Sequence, residues 1–348
     1  MEDNNWKGKR VFITGVCGTV GKELLRQVYA QGPKEVVGID NSESELFFLR
    51  EDYRENNNVQ LFLCDVRDRD QVIHRSRDMD IILHSAALKH VIVCEQSPRD
   101  PVQTNIVGTQ NVIDAGFAND VERVLLTSSD KAVNPTNVMG TSKLMGERLM
   151  TAANAQRRAN GPIFASTRFG NVLGSRGSVI PVFKRQIAQG GPVTVTDEKM
   201  SRFIMTLGEA VALVMQSVFL AKGGEVFVTK MPIVRIKDLA TAMVEELAET
   251  FGFSASNIKT EIIGAKAGEK LYEELMNDEE TRRTIELPDY FAVLPAFKSV
   301  YGSVEYSYPD MQNGVGVSER YSSQVGTAMG ADELRDYLRR NRLLEVEV

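Results

Sequence analysis

The stretch Arg10-Val11-Phe12-Ile13-Thr14-Gly15-Val16-Cys17-Gly18-Thr19-Val20-Gly21 decides the fold. Its first five residues are an apolar run suited to a short buried strand, and the amphipathic pattern that follows, through Gln31, predicts a helix. Between them, Gly15 permits a tight turn, Gly18 lets a pyrophosphate approach the backbone, and Gly21 lets helix and strand pack closely. The helix N-terminus then offers unpaired N–H groups to phosphate oxygens. Thr14, Thr19 and Val20 complete this candidate cofactor loop. A glycine pattern alone is weak; a strand before it and a helix after it make it a dinucleotide signal.

Outward from that loop, the strand Glu35–Ile39 ends at Asp40. An acid there suits a ribose 2′-hydroxyl and repels a 2′-phosphate, which favours NAD over NADP; capping a helix with Asn41 and Ser42 is a compatible second role. The strand Val59–Cys64 ends in Asp65-Val66, where Asp65 can accept from an adenine amino group and Val66 can pack on the ring, or the pair can cap the next helix. After the strand Asp80–Leu83 come His84-Ser85-Ala86-Ala87, whose small Ala86 and Ala87 let a cofactor pass near the sheet. A helix from about Pro98 to Ala118 carries Asn105, grouped with the cofactor residues.

The run Val124-Leu125-Leu126 then leads to Thr127-Ser128-Ser129-Asp130-Lys131, and Met139-Gly140-Thr141-Ser142-Lys143 opens a helix to about Arg158. This places an acid and an amine at the carboxyl edge of a sheet, where open α/β sheets put their ligands. Such a pair can remove one proton while donating another. The alternation of strands and helices predicts an α/β fold: a Rossmann-type doubly wound parallel sheet with a smaller C-terminal α/β substrate domain. The expected division gives residues 1–174 and 206–232 to the NAD domain and 175–205 and 233–300 to the substrate domain, with 301–348 as a tail.

Composition bounds the function. The 348 residues are 43% hydrophobic and 25% charged, which is ordinary for a globular enzyme. A net charge of -6 argues against a nucleic-acid partner. Cys17, Cys64 and Cys94 have no paired spacing, and His74, His84 and His90 have no metal-ligand spacing, so no metal site is expected. Neither a signal peptide nor an apolar run of membrane-spanning length is read, and the expectation is a soluble, cytoplasmic protein.

Several motifs carry a resemblance: Thr14 to Gly21, His84 to Val91, Ser129 to Gly140, Arg168 to Ser175, Met200 to Phe203, and Gly268 to Leu275. Over roughly residues 9 to 280 the chain resembles extended short-chain dehydrogenases/reductases, specifically UDP-N-acetylglucosamine 4,6-dehydratases. Most of that superfamily has Tyr-x-x-x-Lys; here Met139 stands in the Tyr place with Lys143 intact. The sequence is similar to a branch in which Met normally replaces Tyr, whose members build bacterial capsule and surface glycans.

The resemblance implies NAD-dependent oxidation at C4, elimination of water across C5 and C6, and hydride return to C6. It implies Asp130 as the acid at O6, Lys131 as the base at C5, Ser129 at the C4 oxygen, and Lys143 at the nicotinamide ribose. Asn171, Arg202 and Glu269 match positions that hold the nucleotide diphosphate; Ser178 is grouped with them, and Lys89 lies where it can reach the sugar. A nucleotide-sugar epimerase, a GDP-linked substrate, and a non-catalytic NAD sensor are the competing readings. Homodimerisation, or a larger homo-oligomer, is expected through the helices carrying Ile106, Val107, Val112 and Ile113 and Leu144, Met145, Leu149 and Met150.

Overall fold

The computed structural model describes residues 5–158, 161–175, 178–264, 268–297, 304–311 and 314–345. The chain opens with β1 (Arg10–Thr14), α1 (Thr19–Ala30), β2 (Glu35–Asp40), α2 (Glu43–Asp52), β3 (Val59–Leu63), α3 (Arg69–Arg75) and β4 (Ile81–His84). Next come α4 (Val91–Gln96), α5 (Arg99–Pro101), a π-helical turn (Val102–Val107), α6 (Gly108–Ala118), β5 (Arg123–Ser129), α7 (Val138–Gln156) and β6 (Ile163–Phe169). Then follow β7 (Asn171–Val172), α8 (Val179–Ala188), β8 (Val193–Val195), β9 (Ser201–Met205), α9 (Leu207–Leu220), β10 (Val226–Thr229), β11 (Ile233–Arg235) and α10 (Ile236–Leu247). The chain closes with β12 (Thr260–Ile262), β13 (Glu274–Met276), α11 (Asp278–Thr281), β14 (Thr284–Glu286), β15 (Tyr290–Val293), β16 (Tyr321–Ser322) and α12 (Ala331–Arg340).

Nine strands form one sheet in the order β14-β15-β10-β6-β5-β4-β1-β2-β3. Strand β1 pairs in parallel with β2 on one side and β4 on the other, so the connections reverse direction there. The crevice outside the strand ends at such a reversal is where ligands bind in doubly wound sheets. Val11, Phe12, Ile13 and Thr14 are wholly buried, as a strand covered on both faces requires. One core lies between this sheet and its helices, with Phe12, Ile82, Val112, Leu126, Met150 and Phe164 among its members.

Two compact units make up the chain. The first contains residues 1–168, 211–229 and 276–320; the second contains 169–210, 230–275 and 321–348. The second has its own core, in which Phe183, Ile187, Val234, Leu239, Met243 and Leu338 meet. Its three-stranded sheet runs β11-β9-β7.

This division corrects the expected one. Residues 276–300 belong with the first unit because β15 pairs antiparallel with β10 and β14 with β15, extending the large sheet at its edge. The expected tail divides as well, since α12 packs into the second core through Leu334 and Leu338. Short strands without alternation are hard to tell from loop in sequence; here backbone pairing with a distant strand defines them.

Candidate active site

The cofactor loop is set by contact distances as much as by turn geometry. Gly15 has φ of +69°, and a Cβ there would lie 2.6 Å from the Ala86 Cα. A Cβ on Gly21 would lie 2.1 Å from the Gly15 carbonyl oxygen. The loop is thus pressed against the segment after β4 and against the first turn of α1, with no room for a side chain at Gly15 or Gly21. Gly18 caps α1 with no side-chain hydrogen bond, so the helix N-terminus is open to an anion.

Asp40 closes β2 beside this loop. Its Oδ2 accepts from the Cys17 N–H at 2.9 Å and its Oδ1 from the Ser42 N–H at 2.9 Å. Each carboxylate oxygen keeps a further lone pair for a ribose hydroxyl. Asp65 accepts from Asn41 and pairs with Arg67 at 2.5 Å. The Arg67 hydrogen bond holds the Asp65 carboxyl below its usual range despite partial burial. Val66, expected to pack on an adenine ring, has its side chain in the core of the first unit.

Asn105, on the π-helical turn, is 3% exposed. Its Oδ1 accepts from the Leu88 N–H at 2.8 Å, and its amide donates to the Leu88 carbonyl and to Ser142 Oγ. It is a strut that ties the segment after β4 to α7, with Ala86 and Ala87 half-buried above it. His84, unused in the sequence reading, shares a hydrogen bond with Thr14 at 2.7 Å and contacts Thr109 at 3.2 Å. Burial first, then the Lys143 charge, press its pKa down to about 3, so it is a neutral bridge between β1 and α6.

The catalytic candidates cluster where β5 meets α7. Asp130 is 1% exposed and accepts from Ser129 Oγ at 2.5 Å and from Lys131 Nζ at 3.1 Å. Lys131 stays partly open, its side chain 29% exposed. Asn137 caps α7 by accepting from the Gly140 N–H at 2.8 Å, and Glu95 accepts from the Val138 N–H at 2.6 Å. Gly140 is needed because a Cβ there would lie 2.3 Å from the Lys131 carbonyl oxygen. One turn on, Lys143 Nζ donates to the Thr127 carbonyl at 2.7 Å. Burial brings its pKa down to about 8, while Glu147 holds it partway back. Met139 is buried, and its thioether takes no proton. Ser128 Oγ, one residue before Ser129, is buried with no hydrogen-bond partner in the structure.

The second unit holds the remaining candidates. Arg202, 6% exposed on β9, donates to the carbonyls of Ser201, Leu271 and Lys270. It lies 3.7 Å from Glu269 and 3.9 Å from Glu273. Arg202 and Glu269 are therefore neighbours, organised around the 268–273 segment. Asn171 Oδ1 and Ser178 Oγ are both buried with no hydrogen-bond partner, the condition of groups made to meet a ligand. Lys89, in the first unit, is exposed.

Sequence reasoning missed one buried cluster outright. Arg168, Glu147 and Glu280 are each 1–2% exposed and ion-paired at 2.7 and 2.8 Å. The available signal was Arg168 inside an otherwise apolar or hydroxylic strand; its two partners lie 21 and 112 residues away.

Comparisons with known proteins place the chain in a family. Residues 11–295 match the model of a family described as polysaccharide biosynthesis protein. The chain is 46% identical over 84% of its length to a Methanocaldococcus jannaschii protein described as an uncharacterized membrane protein, covering 87% of that chain. It is 37% identical over 87% of its length, and 87% of the relative's, to a UDP-N-acetylglucosamine 4,6-dehydratase (inverting) of Campylobacter jejuni. A UDP-glucose 4-epimerase of Rickettsia canadensis is 34% identical, with 95% of each chain covered. Among solved structures, Pen from Bacillus thuringiensis superposes with a TM-score of 0.89 at 41% identity, over 98% of this chain and 100% of that one. A dTDP-glucose 4,6-dehydratase from Streptomyces venezuelae, solved with NAD bound, shares the fold at a TM-score of 0.65 and 20% identity over 75% of this chain and 86% of that one. Among the described residues no helix is long and apolar enough to cross a membrane.

Proposed function

The chain belongs to the polysaccharide biosynthesis protein family of extended short-chain dehydrogenases/reductases, and on that premise we propose that it is an NAD-dependent 4,6-dehydratase of UDP-N-acetylglucosamine. The observation that carries this reading is the Asp130–Lys131 ion pair at the carboxyl end of β5, with Lys143 one helix away and methionine at 139. An epimerase needs only oxidation and reduction at C4. Eliminating water needs a base at C5 and an acid at O6, and this pair supplies both. The cradle against Ala86 and the acceptor Asp40 fit NAD.

When bound, NAD would supply the redox chemistry, as acceptor of the C4 hydride and donor of hydride to C6. Once C4 is a ketone, the C5 proton is α to a carbonyl. Asp130, as the carboxylate, takes the O4 proton as C4 is oxidised and is then the acid that protonates O6. Lys131, as the neutral amine, takes the C5 proton; the C6–O bond breaks, water leaves, and the Lys131 ammonium returns its proton to C5 as C6 is reduced. Ser129 holds the C4 oxygen, and Lys143 holds the nicotinamide ribose and keeps the local potential positive. Asn171, Ser178, Arg202 and Glu269 hold the nucleotide, and Lys89 reaches toward the sugar. Incubation with UDP-N-acetylglucosamine and mass spectrometry of the product test the reading: loss of one water supports it, and a product of unchanged mass overturns it in favour of epimerisation.

The reading includes self-association. Val112, Ile113 and Met150 face the core of the first unit, which removes them from the expected interface. Exposed Met145 and half-buried Ile106, Val107 and Leu144 remain for it, while Leu149 packs against that core. Light scattering at micromolar concentration checks this, and a mass near 38.7 kDa overturns it.

A further inference from the structure

Arg168 ends an internal strand, yet it is 1% exposed and carries a full charge. Its Nε donates to Glu147 Oε1 at 2.9 Å and its Nη2 to Glu147 Oε2 at 2.7 Å. On its other edge, Nη1 donates to Glu280 Oε2 at 2.8 Å and Nη2 to Glu280 Oε1 at 2.8 Å. Two forked carboxylates on one guanidinium hold both in fixed orientation. Glu280 is fixed a second time, because it closes a capping box with Asn277. Burial opposes its charge, but Arg168 outweighs burial and keeps the Glu280 carboxyl below its usual range.

Such a cluster is not needed for stability alone, since buried ion pairs replaced by apolar residues often leave proteins as stable. Its position is informative. Glu147 lies four residues after Lys143 on the buried face of α7, so the two side chains stand one above the other. We propose that Glu147 is a positioning residue for Lys143: pinned by Arg168, which Glu280 braces, it supplies the counter-charge that keeps the Lys143 ammonium in place and protonated.

The surroundings support this assignment. The titratable groups that bear on Lys143 are His84 on β4 and Glu147 on its own helix; its Nζ donates to the Thr127 carbonyl of β5, and Arg168 and Glu280 lie beyond Glu147. His84 is neutral, and Asp130 is paired with Lys131. Burial drives Lys143 toward the neutral amine, and the opposing influence is the Glu147 charge. Without it, burial acts unopposed and the Lys143 amine gives up its proton at a lower pH.

The inference rests on the NAD-dependent reading, but its test needs no turnover. Apo protein is titrated with NAD by calorimetry from pH 6 to 10. Wild-type affinity is expected to fall on an alkaline limb with a midpoint near 8, and Lys143→Met is expected to abolish the limb. Glu147→Gln is expected to move the midpoint down by about one unit, whereas Glu147→Asp, which keeps the charge and disturbs the same packing, leaves it close to wild type. If Glu147→Gln does not fold, Glu147→Gln/Arg168→Gln carries the same test; it strands no guanidinium, and Glu280 retains Arg283 at 3.7 Å. Coincident midpoints in wild type and the Gln variant, or a limb that survives Lys143→Met, overturn the inference. Absence of dehydrated sugar with the NAD titration as expected overturns the dehydratase reading and leaves this one standing.

Discussion

The two units assemble their functional groups in opposite ways. In the first, the catalytic candidates cluster where β5 meets α7, and several of their contacts join near neighbours in sequence: Ser129 with Asp130, Asp130 with Lys131, Asn137 with Gly140. In the second, Arg202 is held by carbonyls at 270 and 271, across 68 and 69 residues. Local order makes the first set robust, because strand ends are fixed by a sheet buried on both faces. The second set depends on a segment, 268–273, that has little regular structure and is held largely by Arg202 and by Ser323. On the proposed reading the proton-transfer groups lie in the first unit and the nucleotide-holding groups in the second.

The comparison breaks most visibly at Lys131. Lys131→Ala is expected to lower dehydration by roughly 10³-fold, in the range of a lost general base, with NAD affinity unchanged; near-normal turnover by mass spectrometry removes Lys131 from the chemistry. The next effect is on stability. The folded pKa of Lys143 is lowered by burial from 10.5 to about 8. Between those values the unfolded chain binds more protons, so the Lys143 contribution to stability rises with pH across that window. Its full size is about 3 kcal/mol. Urea midpoints at pH 7.5 and 10 are expected to differ between wild type and Lys143→Met in that direction, and parallel profiles contradict it.

A smaller effect is expected in the second unit. Arg202→Lys cannot reach three carbonyls at once, and UDP binding is expected to weaken by about thirtyfold, the scale of a lost charge-assisted pair. NAD affinity should stay as in wild type; loss of both, measured by calorimetry, shows that the units are not independent in binding. Smallest is Asp40→Ala, for which NAD affinity is expected to fall by about tenfold and discrimination against NADP to narrow. Unchanged discrimination removes the ribose role.

How much of this was legible depended on the range of the interaction. The helix that runs to about Arg158 and the strands leading to Asp40 and Asp65 could be read because periodicity and apolar runs are local. Asn105 shows the limit: its place on a helix is local, but Leu88 and Ser142, which occupy its amide, are 17 and 37 residues away.

By itself, the sequence determined the doubly wound sheet, the glycine cradle and the Asp130-Lys131 pair, since each follows from the order of neighbouring residues and from strand ends that a parallel sheet aligns. Only the tertiary structure decided that residues 276–300 complete the first unit, that Val66 and Asn105 serve packing and support, and that Arg168 binds Glu147 and Glu280. Burial and the pairing of distant backbone and charge depend on which surfaces meet after the chain has folded, and no pattern of neighbouring residues encodes that.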